Sequence, residues 1–184
     1  GNPIGPNTLV VGTIAELTHN KNIIILMKAA ALMRAQGIRH TFVVVGGGEE
    51  YALLTREIAM RGLANSFHLA GFIPDAERLL AGFDIFALPS IKEGLPYALM
   101  DAMAAGLPCV ATSVGGIPDC IIDGINGIII PPRSEAKLAH ALNTLIQSKE
   151  LRQQYGLQAR ETIRQKFPHH TMISRTATLY SSPM

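Results

Sequence analysis

Six short apolar runs alternate with longer amphipathic stretches along the 184 residues, and this alternation limits the fold more than any other feature. Leu9–Ile14, Thr41–Val45, Phe67–Leu69, Asp84–Leu88, Cys109–Thr112 and Gly127–Ile130 read as strands, with Gly, Pro and Asn at their flanks. Most are apolar at consecutive positions, the pattern of strands buried on both faces of a parallel sheet. Between them, Ile23–Ala35, Glu50–Arg61, Ala76–Leu80 and Pro96–Ala105 read as helices; Glu135–Ile146, Glu150–Lys166 and a tail helix near His170–Tyr180 follow the last strand. Gly37 and Gly62 stand where helix C-caps belong, and Ser134 where an N-cap does. The expected fold class is α/β, a doubly wound parallel sheet of Rossmann-like type, which takes its ligand at the carboxyl ends of the strands. The length suits one domain over residues 1–184, with 1–7 as a linker and 168–184 as a tail.

Composition removes several function classes. Apolar residues make up 48% and charged residues 16%, so a folded globule is expected. A net charge of +2 with both signs interspersed, and no basic block, argues against nucleic acid as a partner. The longest apolar run, Asn22 to Met33, is interrupted by Lys28 and too short to span a bilayer. The opening GNPIGPN reads as a linker and not as a targeting segment. Cys109 and Cys120 form no disulfide framework and no metal spacing, which favours two reduced thiols with at least one in the core. No His-x-x-x-His pair and no D-x-D motif occur, so neither zinc nor another metal is expected. The expected location is cytoplasmic, with any hold on the inner membrane face supplied by a part outside this chain.

The richest stretch for chemistry is PSIKEGLPYALMDAMAAG, Pro89 to Gly106. A strand ends at Leu88, a loop presents Glu93 and Gly94, and a helix begins near Leu95 or Pro96, where proline suits the first turn. Gly94 lets backbone approach a ligand, and the first amides of the helix with its dipole form an anion site. Glu93 and Asp101 lie eight residues apart, about 12 Å along a helix, enough to span a sugar, a diphosphate and a ribose. A carboxylate at each end can accept two hydrogen bonds from a diol. A helix with an acidic flank and one solvated Asp explains the same residues equally well.

This stretch resembles the E-x7-E signature of the large retaining GT-B glycosyltransferase family often called GT4, with the second acid shortened to Asp101. The resemblance continues through Gly106–Thr112, Val114–Asp119 and Asp123–Pro132, and upstream through Val43–Gly48, Phe67–Ile73 and Asp84–Ser90, in the family's order. It implies the donor-binding half of such an enzyme, which grips a nucleotide-diphosphate sugar, UDP-sugar in first place. Its acceptor-binding N-terminal domain is a partner outside this chain, so this half alone is expected to transfer little. By the same resemblance Glu93 is the catalytic-site carboxylate that holds hydroxyls of the transferred sugar, and Asp101 holds the ribose. Amides at Gly94 and Leu95 meet the diphosphate, Gly115 and Gly116 line the opposite side of the pocket, and Gly71, Phe72 and Ile73 lie along the nucleobase. Lys21 neutralises the diphosphate, and Lys21→Ala is expected to weaken binding while leaving the fold intact. No cofactor or metal is implied.

Two departures from the family bear on donor affinity. Glu16 stands where the family usually has an arginine five residues before the lysine, so it either turns away or pairs with Lys21. Asp101 is one methylene short, which weakens its ribose contact or inserts a water. Both feed an alternative, a degenerate nucleotide-sugar-binding module without transferase activity. A nicotinamide dehydrogenase needs G-x-G-x-x-G; Gly46 and Gly48 begin it, but Tyr51 stands at its last position, and Glu49 and Glu50 bring the wrong charge. A nucleotide-sugar epimerase is disfavoured by the E-x7-acid stretch and by Gly115-Gly116. Gly46–Gly48 read either as a tight turn or as a donor contact, Phe72 and Tyr97 as base contacts or packing, and His169-His170 as a solvated pair.

Overall fold

Val10–Ile14 forms β1 and pairs in parallel on one side with β2, Thr41–Val45, and on the other with β4, Ile85–Leu88. The computed structural model describes residues 8–38 and 40–168. With β3 (Phe67–Gly71), β5 (Cys109–Thr112) and β6 (Ile128–Ile130), the strands form one six-stranded parallel sheet in the order β3-β2-β1-β4-β5-β6. The chain runs outward from β1 to β3, then returns to the other side of β1 to begin β4. The carboxyl ends of β1 and β4 therefore flank the switch point at which such sheets open a crevice.

The consecutive apolar positions of the strands divide between two cores, because successive side chains point to opposite faces. Val11, Phe42, Val44, Ile85, Ala87 and Val110 belong to one buried cluster. Val10, Val45, Phe86, Leu88, Cys109 and Ala111 belong to the other. The first face is covered by α1 (Ile23–Ala35), which packs on α2 (Tyr51–Met60) and α5 (Glu135–Gln147). The second is covered by α3 (Tyr97–Ala104) packed on α6 (Lys149–Lys166). The expected doubly wound α/β fold is thus the one observed.

Local departures have local causes. Ala76–Gly82 winds as a 3-10 helix, and a further 3-10 turn, His19–Lys21, leads into α1 through Asn22 in the left-handed region. The short α4, Ile117–Cys120, was not anticipated; it starts after Gly116 with a proline in its first turn. Helix α3 starts at Tyr97, so Pro96 is its N-cap instead of lying within the first turn. Gly37 and Gly62 adopt φ of 78° and 65° and close α1 and α2 as expected. Ser134 occupies the N-cap of α5 without a side-chain bond, whereas Ser148 caps α6 by accepting the Leu151 N–H at 3.1 Å. Cys109 and Cys120 are both buried and free. Burial pushes both thiols above their ordinary range. Among the described residues no helix is long and apolar enough to cross a membrane. The linker 1–7, the His169-His170 pair and the tail helix near His170–Tyr180 lie outside the described residues.

Candidate functional site

The loops after β1 and β4 are laced together. The Ile91 N–H donates to the Asn20 carbonyl at 2.8 Å, which sets the 3-10 turn carrying Lys21 against the loop carrying Glu93. Lys21 Nζ then donates to both carboxylate oxygens of Glu93, at 2.7 Å to Oε1 and 2.9 Å to Oε2. The Ser90 hydroxyl donates to the same Oε1 at 2.6 Å. Ser90 is itself fully buried, and its carbonyl accepts the Thr112 hydroxyl of β5 at 2.6 Å. A third buried hydroxyl, that of Thr13 in β1, donates to the Ala87 carbonyl at 2.8 Å. Polar groups at the ends of β1, β4 and β5 are thus joined beneath the crevice, where unpaired burial would be costly.

Above this pair opens a cavity of about 790 Å³. Lys21, Glu93 and Glu16 bring charge to its lining, Phe72 and Ile73 line it from the loop after β3, and Leu95, Pro96, Tyr97 and Ala98 from the start of α3. Phe72 is 79% exposed and Tyr97 64% exposed, so two aromatic rings stand open at the cavity. Gly46–Gly48 form part of its wall. Gly46 and Gly48 hold φ of 148° and 156°, and a Cβ on Gly46 would sit 1.9 Å from the Ala15 carbonyl oxygen. The turn after β2 can press on the loop after β1 only because these residues are glycine. Turn and cavity wall are therefore one feature.

Of the residues singled out in the sequence, Lys21, Phe72, Ile73, Glu93 and Leu95 line the cavity together. Gly71 ends β3 and accepts the Gly46 N–H on its carbonyl at 2.8 Å; it lies beside the lining and not in it. Gly115 and Gly116 do not stand across the cavity from Glu93. A Cβ on Gly115 would meet the Glu93 carbonyl oxygen at 2.0 Å, and the Gly116 N–H donates to the Gly94 carbonyl at 3.0 Å. The two glycines press on the back of the Glu93-Gly94 loop and set its position by close backbone contact. Gly94 is exposed and, unlike Glu93 and Leu95 on either side of it, is not in the cavity lining.

Asp101 lies one turn beyond Tyr97 and Ala98 on the same face of α3 by helical spacing, but it is exposed and does not line the cavity. Partial burial, and then the charge of Glu77, hold its carboxyl above the usual carboxylate range. Glu77 belongs to the 3-10 segment whose first residue, Ala76, lines the cavity. The two acids are thus near enough to raise the cost of charge on Asp101. Glu16 does neither of the two things foreseen: it lines the cavity, and the partner of Lys21 is Glu93. Ser90 went unremarked in the sequence, where a serine three residues before a glutamate carries no local signal of their contact.

The family model for "Glycosyl transferases group 1" matches residues 2–162. The amylovoran biosynthesis glycosyltransferase AmsK of Erwinia amylovora is 33% identical over 175 residues, covering 91% of this chain and 43% of that protein. The putative glycosyltransferase EpsD of Bacillus subtilis is 32% identical over 174 residues, 92% of this chain and 44% of its own. Among solved structures, Anabaena HepE in complex with UDP-glucose superposes with a TM-score of 0.89 at 30% identity, over 96% of this chain and 50% of that one. A C-terminal domain of the group 1 protein LpcC from Francisella tularensis shares the fold, with a TM-score of 0.78 at 24% identity over 86% of each chain. The chain thus spans less than half the length of these curated relatives.

Proposed function

Because this chain belongs to the group 1 glycosyl transferases, we propose that it is the donor-binding half of such an enzyme, and that the cavity between β1 and β4 holds a nucleotide-diphosphate sugar. The observation that carries the proposal is the Lys21–Glu93 pair at the switch point, a cation for phosphate beside a carboxylate for hydroxyls. A UDP-sugar is the proposed donor, supported by the likeness to HepE, whose structure contains UDP-glucose. The diphosphate meets Lys21 and the amides of Gly94 and Leu95, in the loop that leads into α3. Glu93 accepts hydroxyls of the sugar and so orients the carbon that reacts, while Asp101 accepts from the ribose at the outer rim. The base lies along Gly71–Ile73, within reach of the rings of Phe72 and Tyr97.

Transfer is proposed to retain configuration at the sugar carbon, with charge building on the departing diphosphate. Lys21 and oriented amides stabilise that charge most effectively where water is excluded, and no metal is assigned to the step. The acceptor is proposed to bind on an N-terminal domain beyond this chain, and the product to enter polysaccharide assembly, as the name of AmsK indicates for that protein. A cytoplasmic location completes the reading. The second reading, a degenerate donor-binding module, is favoured by one observation: Glu16 adds an exposed carboxylate to the cavity, whose only lysine among the described residues is already paired.

Isothermal titration of the chain with UDP and with UDP-, GDP- and ADP-sugars tests the proposal. UDP ligands are expected to bind, and Lys21→Ala to weaken them tenfold or more, since a charge-assisted phosphate contact is worth about 1.5–3 kcal/mol. Glu16→Arg is expected to tighten them. Binding without turnover, once the full-length enzyme is supplied with acceptor, supports the degenerate module. No binding by any nucleotide in the panel overturns both readings.

A further inference from the structure

We infer that Ser90 is a positioning residue that holds Glu93 in its sugar-binding orientation once Lys21 has turned to the diphosphate. The inference rests on the donor-site reading and deepens it. In the structure the Glu93 side chain is only 6% exposed, and its carboxylate has two side-chain partners, Lys21 and Ser90. The Lys21 side chain, at 26% exposure, reaches the cavity from a flexible stem. A diphosphate carries more negative charge than one carboxylate, so it draws the ammonium toward itself. Glu93 then loses both bonds from Lys21 and keeps one side-chain partner among the described residues, the Ser90 hydroxyl at 2.6 Å on Oε1.

That remaining bond does two things. It fixes the carboxylate plane against a residue that cannot itself move, because Ser90 is fully buried and its carbonyl is tied to Thr112 of β5 at 2.6 Å. It also occupies Oε1 on the protein side, which leaves Oε2 free to accept the hydroxyls of the sugar. Without Ser90, Glu93 is free to follow the ammonium and remain its partner, away from the sugar. Ser90 therefore governs recognition of the sugar and leaves recognition of the diphosphate largely alone.

The test is a matched pair of titrations on the chain, with UDP and with UDP-glucose, for wild type, Ser90→Ala, Ser90→Thr, Glu93→Gln and Ser90→Ala/Glu93→Gln. Ser90→Ala is expected to weaken UDP-glucose about tenfold, the size of one charge-assisted hydrogen bond, and UDP less than threefold. Ser90→Thr, which keeps the hydroxyl, is expected to restore UDP-glucose binding. Adding Ser90→Ala to Glu93→Gln is expected to change nothing further, because the serine acts through the carboxylate. Equal weakening of both ligands by Ser90→Ala marks a merely structural role and overturns the inference, as does unchanged UDP-glucose binding. Full additivity of the two substitutions overturns it as well. A wild-type chain that binds neither UDP nor UDP-glucose removes the donor-site reading and this inference together. A wild type that binds both, with variants that depart from this pattern, removes this inference alone.

Discussion

The Lys21–Glu93 pair bears on the fold as well as on the cavity, because breaking it strands a charge. The carboxylate is 6% exposed, so removing its ammonium leaves a buried charge with one hydroxyl for company. The expectation that Lys21→Ala leaves the fold untouched therefore conflicts with the geometry. We predict that Lys21→Met lowers stability by about 1–3 kcal/mol, and that Lys21→Met/Glu93→Gln recovers part of the loss, the signature of a coupled pair. Urea denaturation of both single variants and the double variant measures the coupling; strict additivity would contradict the pair's structural role. The donor affinities proposed for wild type and Lys21→Ala should accordingly be compared at matched folded fraction.

Between elements, glycines set the distances. Helix α6 crosses the turn joining α3 to β5 at Gly156, where a Cβ would stand 2.1 Å from the Gly106 carbonyl oxygen. Four residues on, Arg160 donates to the Ala105 carbonyl at 2.8 Å and ties the same crossing. Gly to Ala inside a helix ordinarily gains about 1 kcal/mol from propensity. Here we predict the reverse, a loss of about 1–3 kcal/mol for Gly156→Ala, because overpacking against backbone cannot be relieved by a rotamer change. Gly82→Ala is the control, with open space around its Cβ and no positive φ; it should be neutral or mildly stabilising. Thermal unfolding of the two variants decides, and a stabilised Gly156→Ala would refute the contact. The same logic explains Gly115, which positions the Glu93 loop from behind.

For the molecule as a whole, His40 links stability to pH. Burial, and then the charge of Arg152, hold its imidazole below the ordinary value of 6.5, and its Nδ1 is buried without a partner among the described residues. The folded chain therefore keeps His40 neutral at a pH where the unfolded chain has begun to bind a proton. Stability from this residue is complete above 6.5, falls as pH drops below it, and levels off once the folded imidazole also titrates. Urea midpoints between about pH 7.5 and 5 should fall for wild type and fall less for His40→Asn. Equal slopes would show that other groups carry the dependence.

The residue order by itself determined the sheet, its parallel sense and the identity of several loops that line the cavity. Six consecutive-apolar runs can be satisfied only by cover on both faces, and that requirement is written in local periodicity. Pro96 and Gly94 likewise marked a helix start within a residue of the observed one. Even the neighbours of the cavity were legible from Lys21, Phe72, Ile73, Glu93 and Leu95. Tertiary structure alone decided what these groups touch. Lys21 takes Glu93, 72 residues away, as its partner, and leaves Glu16 in the cavity wall with no ion-pair partner among the described residues; Gly115 and Gly116 back the Glu93 loop from the far side; Asp101 feels the charge of Glu77. Backbone periodicity repeats every few residues and can be read from a short window. Side-chain partnership depends on which strands end side by side, and here that was settled when β4 returned across the sheet to lie against β1.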